Sequence, residues 1–327
     1  MRHPWTGDAA VAEIDNRLQK AVAQCSPSRK WLATRNSAAP VSSARDAWRL
    51  LEPLHAVVYF SPEPLAALDA AGYRGFWMGY FAGRAAPLGA VGADVVHAAF
   101  YNFSYERIAK ALPAAWGFAP PEAALQAREE GAVAALRRHL ADLADGPEVA
   151  RAAELAARAA DAVPLAGRVL GAANHALPVP EQPLARLWHA ATVLREHRGD
   201  GHIAALLAAG IEGRESHVFH ALASGTPRHT YTVAREFTDD EWNRLMNALR
   251  DKGLAGPEGL TSEGVRLKAQ IEEQTDRLAA PAYDALTDAE QHDLIRVLHP
   301  LTRAVVAAGE IPLDSPMGLD LRQFLDE

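Results

Sequence analysis

The stretch AALDAAGYRG at residues 66–75 recurs as AALLAAGIEG at residues 204–213, with seven identities in ten positions. The offset of 138 positions also aligns Phe81 with Phe219. Chance similarity between alanine-rich helices is the competing explanation, so matches outside the stretch matter. An internal repeat predicts one supersecondary unit that is present twice.

Further matches flank the stretch on both sides. Downstream, Gly117 aligns with Gly253, and Glu130-Gly131 aligns with Glu263-Gly264. Upstream, His-Ala at 55–56 aligns with His-Ala at 189–190 at an offset of 134, so four extra residues enter the second copy between positions 190 and 204. We therefore predict five segments, which are a loosely ordered N-terminal extension (1–40), a first winged-helix-like unit (41–145), a connecting helix and linker (146–180), a second winged-helix-like unit (181–285), and a C-terminal helix and tail (286–327).

Composition limits the class of protein. The chain has 327 residues, of which 49% are hydrophobic, and a formal net charge of −8. These values favour a globular protein and argue against a surface built to neutralise nucleic-acid phosphates or to lie on anionic lipid. The single cysteine, Cys25, cannot form an internal disulfide, and no stretch approaches 18 apolar residues. We expect a soluble cytoplasmic protein without a membrane partner, either a monomer or a homodimer.

Apolar residues recur at helical spacing through most of the chain. In the second unit, TDDE at 238–241 predicts a helix start, Gly253 predicts its end, and TSEG at 261–264 predicts the start of a long helix. The segment 104–116 is expected to form the matching helix of the first unit. The order of helix, short turn or wing, and long helix is typical of a winged helix-turn-helix.

Residues 244–267, RLMNALRDKGLAGPEGLTSEGVRL, resemble the recognition-helix, wing and dimerisation-helix passage of MarR-type winged-helix proteins. Across 45–320 the chain resembles an actinobacterial family of helix-turn-helix proteins, through motifs at 52–56, 75–89, 100–103 and 194–202. Together with the internal repeat, the resemblance implies a mainly α fold in which two MarR-like winged-helix units form an internally duplicated pseudo-dimer within one chain. It implies no catalytic residues.

The insert REHRGDGH at residues 195–202 is the densest charged cluster of the second copy. Because glycines flank Asp200, one helix is expected to end there and the next to begin at His202, with Asp200 as its N-cap. The candidate catalytic residues for acid–base chemistry are His197, His202, Glu196 and Asp200. Arg195 and Arg198 are candidates for binding a carboxylate or phosphate. A solvated charged turn is the competing interpretation.

Aromatic residues are concentrated in the first unit. Trp77, Tyr80 and Phe81 precede Arg84 at helical spacing, so the rings and the cation share one helix face. Such a stripe indicates either ordinary core or an apolar ligand cavity with a few polar groups. If the stripe lines a cavity, the candidate ligand-binding residues besides Arg195 and Arg198 are His55, Tyr59, Trp77, Tyr80, Arg84, Tyr101, Asn102 and His189.

Possible metal donors exist without a metal motif. Their spacing does not match HExxH, and no cysteine pair supports zinc, so we predict no metal site. A haem pocket with His55 or His189 as the axial ligand is an alternative interpretation. The sequence specifies no cofactor. The candidate donors are His189, His197, His202, Glu215, His217 and His220.

The favoured hypothesis is a small-molecule-binding protein with its pocket between the two units. Its enzymatic form would carry out acid–base chemistry on an anionic or aromatic metabolite, and the sequence leaves open whether it is an enzyme. The alternatives are a winged helix-turn-helix DNA-binding regulator and a haem- or metal-binding protein. DNA is disfavoured as a partner because residues 238–252 carry four acidic and three basic side chains.

Overall fold

Helices dominate the fold. The structure is a computed structural model that describes residues 41–315 and 317–325, so the predicted extension at 1–40 lies outside the described residues. These residues form fourteen α-helices: α1 (Val41–Phe60), α2 (Pro62–Ala70), α3 (Gly75–Ala85), α4 (Ala93–Phe100), α5 (Tyr105–Ala109), α6 (Pro121–Leu140), α7 (Pro147–Asp161), α8 (Val169–His175), α9 (Pro183–Ala208), α10 (Glu215–Ser224), α11 (Arg228–Arg235), α12 (Asp239–Asp251), α13 (Ser262–Ala279) and α14 (Asp288–Ala307). One antiparallel hairpin pairs β1 (Ala255–Gly256) with β2 (Gly259–Leu260). The mainly α class is confirmed.

Three apolar cores organise these helices. The largest, here the central bundle, takes residues from α1, α7 and α14, from the second half of α6 and from the first half of α9. A second core, the first lobe, lies among α2–α5 and the start of α6. The third, the second lobe, lies among the end of α9, α10–α12, the hairpin and the start of α13. Long helices therefore run from the central bundle into each lobe.

The second lobe contains the predicted helix and the predicted long helix, with a short hairpin between them. Thr238 accepts a hydrogen bond from the Glu241 backbone N–H and caps α12, whose buried stripe is Trp242, Leu245 and Leu249. After α12 the chain turns at a glycine with positive φ, forms the short hairpin, and enters α13 with Thr261 as its N-cap. Local capping residues fix this passage, which is why the sequence locates it correctly.

The predicted break inside the charged insert is wrong. α9 is one continuous helix from Pro183 to Ala208 and passes through Gly199 and Gly201. Gly201 serves close packing, because a Cβ there would lie 2.3 Å from Arg168 Nη1. Tertiary contacts of this kind outweigh the roughly 1 kcal/mol that a helix-interior glycine costs relative to alanine.

The first lobe departs from the predicted winged-helix pattern. The helix expected over 104–116 is only α5, followed by turns and a 3₁₀ segment at Ala114–Gly117. Pro113 lacks the N–H that helix continuation requires. Between α5 and α6 the structure describes every residue and shows no strand, so this lobe has no wing. The sequence match of Glu130-Gly131 with Glu263-Gly264 also fails structurally, because the first pair lies in the middle of α6 and the second in the first turn of α13.

No helix in the described part of the chain has both the length and the apolar character needed to cross a bilayer.

Candidate functional site

A buried ionic network joins the first lobe to α9. The Arg84 guanidinium donates to both carboxylate oxygens of Glu196, at 2.9 and 3.0 Å. Arg195 donates to Glu196 at 2.7 Å and to Glu52 at 3.3 Å. Burial raises the pKa of Glu196, but Arg195 and Arg84 outweigh burial and hold that pKa well below its usual range. Glu196 is therefore a carboxylate at neutral pH.

His55 lies beside this network in a fixed neutral tautomer. The Thr192 hydroxyl donates to the Trp188 carbonyl, so it accepts from the His55 Nδ1–H at 2.9 Å. His55 Nε2 then accepts from the Tyr59 hydroxyl at 3.0 Å. Burial, reinforced by Arg195, lowers the pKa of His55 well below its ordinary value. Burial raises the pKa of Tyr59, so the phenol keeps its proton.

These groups surround a small cavity. Its volume is about 20 Å³, enough for one water molecule. Glycines 79 and 83 of α3 form one wall, and Trp188 of α9 forms another. The polar side chains that line the cavity are His55, Tyr59, Tyr80, Arg84, Arg128 and Glu196.

Arg128 is the charged lining residue that the sequence analysis did not predict. It is 6% exposed and donates to the Gly83 carbonyl at 3.1 Å and to Asn174 at 2.9 Å. No carboxylate of the described residues lies within ion-pair distance of it, and burial lowers its pKa to about 10. The available sequence signal was its position one helical turn from Ala124 and Ala132, on the buried face of α6.

Positive charge exceeds negative charge around the cavity. Among the described residues, the charged side chains that line it or belong to the ion-pair network around Glu196 are three arginines and two glutamates. An excess cation in a buried site is costly unless an anion compensates it. The set consists of Arg84, Arg128, Arg195, Glu52 and Glu196.

The insert does not form one site, because Arg195, His197 and Arg198 line a second small cavity, of about 10 Å³, whereas Glu196 lines the first. His197 packs against α8, where a Cβ at Gly171 would lie 2.9 Å from the His197 Cα, and Asp200 accepts from the Gly171 N–H at 2.8 Å. Arg198 pairs with Asp276 at 2.8 Å. The expected catalytic group of His197, His202, Glu196 and Asp200 is therefore not assembled.

The insert side chains make specific contacts within the fold. Thr275 donates to a backbone carbonyl, so it accepts from the His202 Nδ1–H at 3.0 Å. Burial lowers the pKa of His197 and of His202 to about 4, and burial raises the pKa of Asp200 to about 6. A solvated charged turn is also excluded, because Glu196, His197, Arg198 and Asp200 are all buried.

Other candidate ligand residues lie away from the cavity lining. His189 is 7% exposed on α9, and burial lowers its pKa to about 4. Trp77 lies under the Arg107 guanidinium, 4.0 Å from its ring centroid. Tyr101 and Asn102 lie where the two lobes meet, where Tyr101 donates to the Ile211 carbonyl.

The two lobes contact each other directly. Arg107 of α5 forms an ion pair with Glu236, two residues before the N-cap of α12. Nearby, a Cβ at Gly213 would lie 2.0 Å from the Tyr101 carbonyl oxygen. The predicted recognition elements of the two lobes, α5 and α12, therefore begin close together.

The outer face of α12 is polar and mixed in charge. Its exposed middle carries Asn243, Arg244 and Asn247, and Arg250 donates to Asn247 at 3.0 Å. At its start, Asp239 is exposed.

The described residues contain no group of three or more histidine, cysteine or carboxylate side chains that could hold a metal ion.

The comparison with protein families identifies one match. A model described as a helix-turn-helix family matches residues 44–312. No curated protein and no solved structure matches the chain.

Proposed function

The chain belongs to this helix-turn-helix family, and on that premise we propose that it is a binding protein for a small organic anion, built on an internally duplicated helix-turn-helix fold. The observation that carries the proposal is Arg128, a buried guanidinium beside a cavity with no carboxylate partner among the described residues. A ligand carboxylate would supply the missing negative charge. The proposal is binding and not catalysis, because the expected pair His197 and His202 is not assembled.

Equivalent helix ends support the duplication. α2 ends at Ala70 and α9 ends at Ala208, at the repeat offset of 138. Two positions later, Gly72 and Gly210 have φ of +109° and +68°, a region that glycine adopts without strain. Matched glycines in matched turns are expected if both units descend from one ancestor.

Each lobe also places a non-glycine residue with positive φ shortly before a capped helix, with ψ of −56° at Tyr101 and 42° at Glu236. Tyr101 follows α4 with φ of 62°, and Glu236 follows α11 with φ of 54°, both unusual for residues other than glycine. Three residues after Tyr101 and two after Glu236, Ser104 and Thr238 cap α5 and α12 through side-chain oxygens. Two such residues before two such caps support MarR-like units of common origin, of which the first has lost its wing.

DNA binding is the second candidate, because the family is one of helix-turn-helix proteins and α12 exposes Asn243, Arg244 and Asn247. Asparagine and arginine are side chains that read base edges in the major groove. Paired reading by both lobes is disfavoured, since an ion pair joins Arg107 to Glu236, whereas successive major grooves lie roughly 34 Å apart. This candidate therefore rests on α12 alone.

Matched ligand pairs test the proposed function. We would titrate the protein calorimetrically, at constant ionic strength, with acetate, benzoate and phenylacetate and with the corresponding neutral amides. We expect at least one carboxylate to bind and its amide not to bind, and Arg128→Met to abolish the binding. The control is Arg137→Met, which removes an exposed arginine from the same helix.

Two results would count against anion binding. One is binding of amides and acids with equal affinity, which would leave a cavity without charge selection. The other is unchanged carboxylate affinity in Arg128→Met, which would place the anion elsewhere.

A further inference from the structure

The cavity must enlarge before it can hold an organic ligand. Its volume is about 20 Å³, whereas ligand pockets commonly enclose roughly 300–1,000 Å³. Its walls on α1 and α9 belong to the central bundle, whereas Arg128 lies on α6, which runs from the first-lobe core into that bundle. The remaining wall is formed by α3 and by Leu68 of α2, which belong to the first lobe. Movement of α3 and Leu68 away from α9 would therefore open the cavity and leave the core of the central bundle intact.

The α3 wall packs within its own lobe. A Cβ at Gly79 or Gly83 would lie 3.4 or 3.6 Å from the nearest Leu68 side-chain atom, and Leu68 belongs to the same core. Across the cavity, α3 is held by the Arg84–Glu196 pair, by the hydrogen bond from Arg128 to the Gly83 carbonyl, and by the Tyr80 and Tyr59 rings, whose centroids are 5.1 Å apart. α3 and Leu68 can therefore move together.

Contacts between the lobes restrain that movement. We call them the latch, which consists of the Arg107–Glu236 ion pair and the contact of Tyr101 with Ile211 and Gly213. Arg107 is buried, whereas Glu236 is 47% exposed. The latch therefore has one member that can be changed without disturbing a core.

The latch and the movable wall share one aromatic cluster. Arg107 stacks on Trp77 of α3, 4.0 Å from its ring centroid. Trp77 contacts Tyr80 at 5.6 Å between centroids, and Tyr80 lines the cavity. Phe103, within the same turn as the latch residues, contacts Tyr80 at 5.5 Å. The latch is thus in direct packing contact with the α3 wall.

We infer that the latch holds the first lobe closed over the cavity, so that release of the Arg107–Glu236 and Tyr101–Ile211 contacts admits the ligand. This inference assumes that the cavity is the ligand site proposed above. The latch opposes opening, since both contacts must break if the first lobe moves away from the second. Ligand access is consequently limited by lobe movement and not by diffusion to an open pocket.

Thiol labelling measures cavity opening without any ligand. Val58 lines the cavity and is 7% exposed, whereas Val149 is 1% exposed in α7 and does not line it. We would introduce Val58→Cys or Val149→Cys in a Cys25→Ser background and follow reaction with a chromogenic disulfide reagent. Glu236→Gln and Tyr101→Phe weaken the latch at different points.

We expect each latch variant to accelerate labelling of the thiol at position 58 by about tenfold and to leave labelling at position 149 unchanged. Unchanged labelling at position 58 in both variants would overturn the inference. Equal acceleration at both positions would overturn it too, because it would show global unfolding. Neither result depends on ligand binding, so failure here is distinguishable from failure of the calorimetric test of the proposed function.

Discussion

Arg84 and Glu196 form two parallel hydrogen bonds, at 2.9 and 3.0 Å, that tie α3 of the first lobe to α9 of the central bundle. Both side chains are largely withdrawn from water, at 11% and 2% exposure. Removal of one partner leaves a charge that has lost hydrogen bonds in a buried site. Such a change lowers the free energy of unfolding by more than the loss of a surface ion pair does.

We expect Arg84→Met to lower the free energy of unfolding by about 3 kcal/mol, because Glu196 would keep only Arg195 as a partner. Arg137→Met is the matched control, since it breaks an exposed pair with Asp145 and should cost less than about 1 kcal/mol. Urea unfolding measures both values. Equal losses in the two variants would contradict a structural role for the buried pair.

Gly199 and Gly201 give a paired test of the continuous helix α9. A Cβ at position 199 meets nothing nearer than 3.9 Å, so Gly199→Ala should stabilise the protein by up to about 1 kcal/mol through helix propensity. A Cβ at position 201 would lie 2.3 Å from Arg168, so Gly201→Ala should destabilise it. The midpoint temperatures of thermal unfolding of the two variants, compared with that of the parent, test this prediction. Two destabilised variants would favour the helix break that the sequence suggested.

The sequence predicts what local residues determine. Thr238, Gly253 and Thr261 act within a few residues of themselves, and the helix, hairpin and helix they delimit are all present. The two glycines of the insert carry no such local information, because a glycine suits both a helix end and a close helix crossing. The close contact of Gly201 with Arg168, which is distant in sequence, favours the helix crossing over the helix end.

The candidate site shows the same limit. Helical spacing places Tyr80 and Arg84 on one face, and both line the cavity. The orientation of His197 and His202 depends on whether α9 continues, so the error about the helix break carried over to the catalytic residues. Arg128 was detectable in principle, as a charged residue on an alanine face, but nothing local indicated its neighbours.

Buried histidines make stability depend on pH. Burial lowers the pKa of His189, His197, His202 and His220 to about 4, below the ordinary value of 6.5. The unfolded chain therefore binds more protons between pH 6.5 and pH 4, and the stability that these groups contribute above pH 6.5 is lost as pH falls through that window. Asp200 opposes the trend, since its raised pKa of about 6 gives stability that is lost as pH rises from 3.8 through 6.

We expect the free energy of unfolding to fall from pH 6.5 to pH 4.5, because four histidines outweigh one aspartate. His202→Gln should reduce the slope by up to about 1.4 kcal/mol per pH unit, the value for one proton. His229→Gln is the control, since this side chain is exposed on α11. Urea unfolding at several pH values gives the slopes. An identical slope in His202→Gln and the parent would show that His202 titrates alike in both states.

Duplex selection tests the consequence of the lobe contact for DNA binding. With Arg107 and Glu236 paired, α5 and α12 cannot occupy successive major grooves, so selection from random 30-base-pair duplexes should enrich no pair of half-sites separated by roughly one helical turn. If α12 alone binds DNA, a single short site should emerge, and Arg244→Ala should weaken it while Arg277→Ala, an exposed change on α13, should not. Enrichment of two half-sites about ten base pairs apart would contradict the closed arrangement of the lobes.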